Sequence, residues 1–123
     1  MRIGFLMDPL DRVRVEHDST FALMLECQRR GVEIRELRQD WLYYADGRTC
    51  ARMRTVEVQR QAGAHFRVVG EFDAPLAELD ILFLRKDPPV DVEFVRATQL
   101  LELGPGPFLI NHPRGLRAIG PTT

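Results

Sequence analysis

The sequence predicts an α/β fold, a three-layer α/β/α sandwich around four mostly parallel strands with a β-hairpin inserted. Three observations carry this reading. Short apolar runs (RIGFLM at 2–7, ILFL at 81–84, FLIN at 108–111) are each preceded or followed by a segment of helical spacing. Strands alternating with helices make βαβ units and a parallel sheet. Between the two βαβ regions, Asp46-Gly47 stands among β-prone flanks, a hairpin signal because glycine takes a positive φ without steric cost. A chain of 123 residues is the size of one domain with one core.

The elements follow in order. RIGFLM is too short for a helix and lacks polar alternation, so it reads as a buried strand. Residues 8–18 are polar, carry Asp8-Pro9 and read as a loop. Residues 18–31 read as a helix, with Phe21, Met24, Leu25 and Gln28 at helical spacing. Asp18 or Ser19 can accept from its first-turn amides, Arg29 and Arg30 suit its negative end, and Gly31 stops it. VEIREL (32–37) alternates apolar and charged residues and predicts a half-buried strand. The crossover between the first two strands should be right-handed. Residues 41–58 form the hairpin, and 65–72 predict a further strand that continues the antiparallel insertion. APLAELD (74–80) predicts a short helical turn before ILFL, the most apolar run and a central strand. Residues 90–103 predict a helix, GPGP (104–107) breaks it, and FLIN predicts the last strand.

Composition narrows the function classes. Hydrophobic residues make up 45% and charged residues 28%, the proportions of a soluble globular protein. A net charge of −1 provides no basic field for a phosphate backbone, so no nucleic-acid partner is expected. No apolar run approaches the roughly 20 residues that span a bilayer, so no membrane partner is expected. MRIGFLMDP lacks the long apolar core of a secretory signal, and a cytoplasmic protein is expected. Cys27 and Cys50 lack CxxC spacing and read as reduced thiols. His17, His65 and His112 show no metal spacing and read as surface or loop residues.

FLRKDPPVD (83–91) carries the main functional signal. Lys86 is the only lysine among the 17 Lys and Arg residues. In parallel sheets, ligands sit beyond the carboxyl ends of the strands. Three polar loops should meet there: Asp8-Pro9 after the first strand, Arg85-Lys86-Asp87 after the central one, and Asn111 after the last. Arginine forks onto carboxylates and lysine offers a compact charge, so Arg85 and Lys86 can hold an anionic group. Pro88 and Pro89 stiffen their loop. The structural alternatives are an Arg85–Asp87 ion pair at the sheet edge, a turn role for Asp8 and a capping role for Ser19. Ser19 can cap and still stand where a helix start attracts anions. No GxGxxG follows the first strand and no GxxxxGK[ST] occurs, which argues against a nucleotide-binding Rossmann domain.

GFLMDP (4–9), DSTFALMLECQRRG (18–31), LAELDILFLRKDPPVDVEFVRAT (76–98) and NHPRGLR (111–117) resemble, in order, the N-terminal domain of bacterial glutathione synthetase. The resemblance implies a pre-ATP-grasp domain, a Rossmann-like α/β sandwich, within an enzyme that joins γ-glutamylcysteine to glycine using ATP and magnesium. It implies that this domain forms one wall of the γ-glutamylcysteine pocket and contributes to oligomer contacts. Carried over, Asp8, Ser19, Arg85 and Lys86 are the substrate-binding candidates, and no residue is assigned as catalytic, cofactor-binding or metal-binding. The domain is expected over 1–117. Residues 118–123 (AIGPTT) form an unmatched tail where the family continues into its ATP-grasp region. ATP and Mg2+ are therefore expected only for a complete enzyme, and this chain is not expected to be active alone. The expected partners are γ-glutamylcysteine, weakly held, a second copy of the chain and a separately encoded ATP-grasp chain. The alternative is a non-enzymatic module that binds a small anion or peptide, or that oligomerises.

Overall fold

A computed structural model describes residues 1–15, 18–85, 97, 99–101 and 106–111. Its elements are β1 (Arg2–Leu6), α1 (Ser19–Arg29), β2 (Glu33–Leu37), β3 (Leu42–Ala45), β4 (Arg48–Val58), β5 (Phe66–Pro75), β6 (Ile81–Leu84) and β7 (Phe108–Asn111). Three short 3-10 turns occur at Leu10–Arg12, Gln39–Trp41 and Leu76–Glu78. The last is the helical turn expected before ILFL.

The four expected parallel strands lie side by side as β2-β1-β6-β7. Their registers align Leu37, Leu6, Leu84 and Asn111 in one row across the carboxyl ends. The insertion then extends the sheet antiparallel from β2 through β4. β3 pairs with Arg48–Ala51 and β2 with Arg54–Val56 of this long strand. β5 pairs with Cys50–Val58 and so overlaps both. A strand has only two edges, so β2 and β3 share one edge of β4, and β5 holds the other as the outer strand. At the hairpin tip Asp46 and Gly47 have φ of 54° and 77°, the paired left-handed conformation expected of Asp-Gly. β5 runs on to Pro75, beyond the expected end at residue 72, because Gly70–Pro75 stay in register with Cys50–Thr55.

Each face of the sheet carries a core cluster. On one face Ile3, Phe5, Ile34, Val56 and Val58 pack with Phe21, Met24 and Cys27 of α1 and with Leu10. On the other, Leu6, Leu37, Met53, Leu82 and Leu84 pack with Leu79, Ala97 and Leu101. Ala97 and residues 99–101 are helical; the rest of the helix expected over 90–103 lies outside the described residues. Phe5 and Phe83, register partners on β1 and β6, stack with centroids 5.2 Å apart. Gly4 lies under Leu79: a Cβ there would come within 2.6 Å of Leu79 Cδ1, so any larger residue would require the leucine side chain to shift.

One expectation is corrected and two are narrowed. β2 is not half-buried, since Arg35 is 4% exposed and Glu36 fully enclosed. Strands flanked on both sides in a parallel sheet are covered on both faces, so both charges require internal partners. His65 lies in the loop before β5, one of the two settings expected, but it is buried: its Nε2 donates to the Leu10 carbonyl at 2.8 Å, and its ring packs on Phe21 and Phe66. His17 and His112 lie outside the described residues. Of the two expected caps, Asp18 and Ser19, Asp18 takes the role: its Oδ1 accepts from the Phe21 N–H at 2.8 Å, and Ser19 is the first helical residue. Cys27 and Cys50 are both buried free thiols.

Candidate functional site: the strand-end rim

The parallel register sets the site. Because Leu6 and Leu84 are partners, the segments leaving β1 and β6 emerge on the same edge of the sheet. The Arg85 N–H donates to the Leu6 carbonyl at 2.8 Å, which extends the ladder one residue and turns the side chain toward the start of α1. There Arg85 Nη2 donates to Ser19 Oγ at 2.9 Å and Nε donates to Thr20 Oγ1 at 3.1 Å. Two of the expected residues, Arg85 and Ser19, thus meet directly. Asp8 follows β1 at the same edge and is half-buried there. Asn111 ends β7 in register with Leu84. Lys86 and Asp87 lie outside the described residues, as does the alternative Arg85–Asp87 pair.

Thr20 was not among the expected residues. It is buried, and its hydroxyl is one of the two oxygens that hold Arg85. The signal was present in the Ser-Thr pair at the start of the helix, since adjacent hydroxyls in a first turn project to the same end.

The electrostatics are unusual. Among the described residues, no carboxylate lies within ion-pairing distance of Arg85. Its visible partners are two neutral hydroxyls. The start of a helix already carries partial positive charge, so an added cation there is unfavourable by about 0.3–1 kcal/mol. A site with a forked cation and two hydroxyls at a helix start is one in which an anion relieves repulsion and gains charge-assisted hydrogen bonds.

A second charged group borders the same loop. Glu36 accepts from the Leu10 N–H at 2.9 Å, from Arg54 Nε at 2.8 Å and from Arg54 Nη2. Arg38, the first residue after β2, reaches Glu36 at 3.4 Å and Asp11 at 3.5 Å, and its guanidinium covers the Trp41 ring at 4.5 Å. The half-buried strand predicted over VEIREL (32–37) does not anticipate this cluster, because alternation alone leaves the charged positions on the solvent side.

Among the described residues no three His, Cys, Asp or Glu side chains converge as a metal site. The donor set here does not fit a magnesium ion, and no step is routed through ATP or magnesium. No helix of the described residues is long and apolar enough to cross a membrane.

The parallel β2-β1-β6-β7 core and the arginine held at the start of α1 define a class, an α/β domain with a mostly parallel sheet and an arginine at its strand-end edge. Residues 1–117 match the family described as prokaryotic glutathione synthetase, N-terminal domain, and the chain belongs to that family. Similar proteins include glutathione synthetases of Escherichia coli, 41% identical over 119 residues, and of Pseudomonas putida, 40% identical over 119 residues. That of Salmonella typhimurium is 37% identical over the same length. In each case the match covers 95% of this chain and 38% of the relative. The chain therefore spans well under half the length of these curated relatives.

Proposed function

We propose that this domain forms the substrate-side wall of an ATP-dependent ligase that joins γ-glutamylcysteine to glycine, and that its strand-end rim receives a carboxylate of γ-glutamylcysteine. Family membership and the names of its relatives support the reaction. The observation that carries the site is Arg85, held at the start of α1 by Ser19 and Thr20 hydroxyls with no carboxylate partner among the described residues. In this reading Arg85 binds one substrate carboxylate, the two hydroxyls hold the guanidinium in plane, and Asp8 and Lys86 border the same pocket. Orientation of this kind lowers the barrier by fixing the reacting group before attack. ATP and magnesium would supply carboxylate activation in the complete enzyme. The same reading includes a second helical layer over residues 90–103, completing a three-layer sandwich. It also includes a cytoplasmic location, a second copy of the chain as partner, and an ATP-grasp region as the catalytic complement.

Titration calorimetry tests the rim. γ-Glutamylcysteine should bind, and Arg85→Ala should weaken it by about 10- to 100-fold, the range expected for a hydrogen bond to a charged group. ATP alone should not bind the domain. Unchanged affinity in the Arg85 variant would remove the rim assignment. Tight ATP binding would instead favour a nucleotide-binding domain. Binding of γ-glutamylcysteine without any ligase activity on co-expression with an ATP-grasp chain would favour a non-enzymatic anion-binding module.

A further inference from the structure

Residues 8 and 9 are bracketed by two hydrogen bonds to the end of β2. Upstream, the Met7 N–H donates to the Leu37 carbonyl at 3.1 Å. Downstream, the Leu10 N–H donates to Glu36 Oε2 at 2.9 Å. The first anchor is ordinary backbone pairing, but the second is a fully buried carboxylate. Its charge is matched by Arg54 and, at longer range, by Arg38. Both arginines also face Asp11, at 3.7 and 3.5 Å, so they hold an acidic residue of the same turn. An apolar residue at position 36 would fill this face of the core as Ile34 does two positions earlier. What a carboxylate adds is an acceptor long enough to reach the loop.

We propose that Glu36 is a positioning residue for the rim. Acting through the Leu10 N–H, it fixes the 3-10 turn at Leu10–Arg12 and so sets where Asp8 stands relative to Arg85. Glu36 does not touch a ligand. The functional consequence rests on the carboxylate-binding reading of the rim; the placement of the loop does not.

Removing Glu36 alone strands Arg54 in the interior, which can unfold the domain, so the test uses paired substitutions. Glu36→Met with Arg54→Met keeps the volume and removes the acceptor. Glu36→Gln with Arg54→Met returns an acceptor oxygen. Amide hydrogen exchange is followed at Leu10, Arg12 and Val13, whose N–H groups bond to Glu36, Pro9 and Leu10. In the first pair these amides should exchange at least about tenfold faster while Phe5 and Leu6 of β1 stay unchanged, and the second pair should restore them. Affinity for γ-glutamylcysteine should fall and recover in parallel. Unaltered exchange at Leu10, equal acceleration throughout β1, or a freed turn with full affinity would each overturn the proposal. If the unmodified domain takes up no γ-glutamylcysteine, the rim reading fails, and the exchange measurements still decide how the loop is held.

Discussion

Glu26 shows how far single side chains on the surface of α1 are tuned. It accepts from Arg29 Nε at 3.0 Å, and its second oxygen accepts from Arg29 Nη2 at 2.6 Å and Arg30 Nε at 2.7 Å. These hydrogen bonds, Arg29 first and Arg30 second, lower its pKa from 4.5 to about 2. A carboxylate whose pKa is lower in the folded state stabilises the fold above its ordinary value of 4.5, and that contribution is lost as pH falls from there through about 2. All three side chains are well exposed, so salt should weaken the effect. A carboxyl carbon titration should place the Glu26 midpoint far below that of an unpaired glutamate, and salt of about 1 M should move it upward. A midpoint at the ordinary value in low salt would show that the pairs do not form. Next to it, burial and then the Glu26 charge push the Cys27 thiol up, in keeping with the reduced thiol that its solitary spacing suggested. Arg35 and Glu36 were the residues least legible in the sequence. Their alternation with Ile34 and Leu37 gives the two faces of a strand, but not what covers each face. The cover comes from Arg54, Glu78 and Phe72, between 18 and 43 positions away, which no local pattern connects.

Elements with strong local chemistry were read correctly, and the hairpin shows why. Asp46-Gly47 sets its own backbone conformation, so the turn joining β3 and β4 follows from two residues. A Cβ at Gly47 would have no atom within 4 Å, so its substitution cost is purely conformational. Gly47→Ala should therefore destabilise by about 1 kcal/mol, the cost of a left-handed conformation for a residue with a Cβ. Gly70 in β5 is an internal control. It too has open space, but its φ is not positive, so Gly70→Ala should be neutral or slightly stabilising. Urea unfolding of the two variants should separate them, and an equal effect at both sites would contradict the turn geometry. β1, β2, α1, β6 and β7 were also legible, because apolar runs of strand length and one capped helical stripe announce themselves locally. The link from α1 to β4 was not: Gln28 donates its side-chain N–H to the Val58 carbonyl and accepts from the Val58 N–H, taking the place of a strand partner beyond the start of β2. A glutamine at a helical spacing position gives no hint of that distant backbone.

One edge of the sheet gathers the rim, and among the described residues the outer strand of the insertion has no partner on its far edge. The rim was legible as a place because strand order and polar strand ends follow from the sequence. The meeting of Arg85 with Ser19 and Thr20 was less so, because it depends on how α1 packs. The outer strand raises a different question. β5 has one edge on β4 and carries exposed Val68 and Val69, so a regular β5 would offer a template for another sheet. Its register breaks between Thr55 and Val56: Thr55 pairs with Gly70 and Val56 with Val68, which leaves Val69 unpaired as a bulge. Bulges and alternating charges are the devices that keep edge strands from associating, and Arg67, Glu71 and Asp73 supply the charges. Deleting Val69 would join Val68 to Gly70 and make the β4–β5 ladder continuous, while every other paired residue keeps its face. The deletion variant should fold and yet self-associate beyond the unmodified domain with rising concentration in sedimentation velocity, whereas Val69→Lys, which keeps the bulge and adds charge, should behave as the unmodified domain does. Equal behaviour of the deletion variant and the unmodified domain at every concentration would show that the bulge does not guard this edge. It would also mean that charge alone keeps the insertion apart from its neighbours.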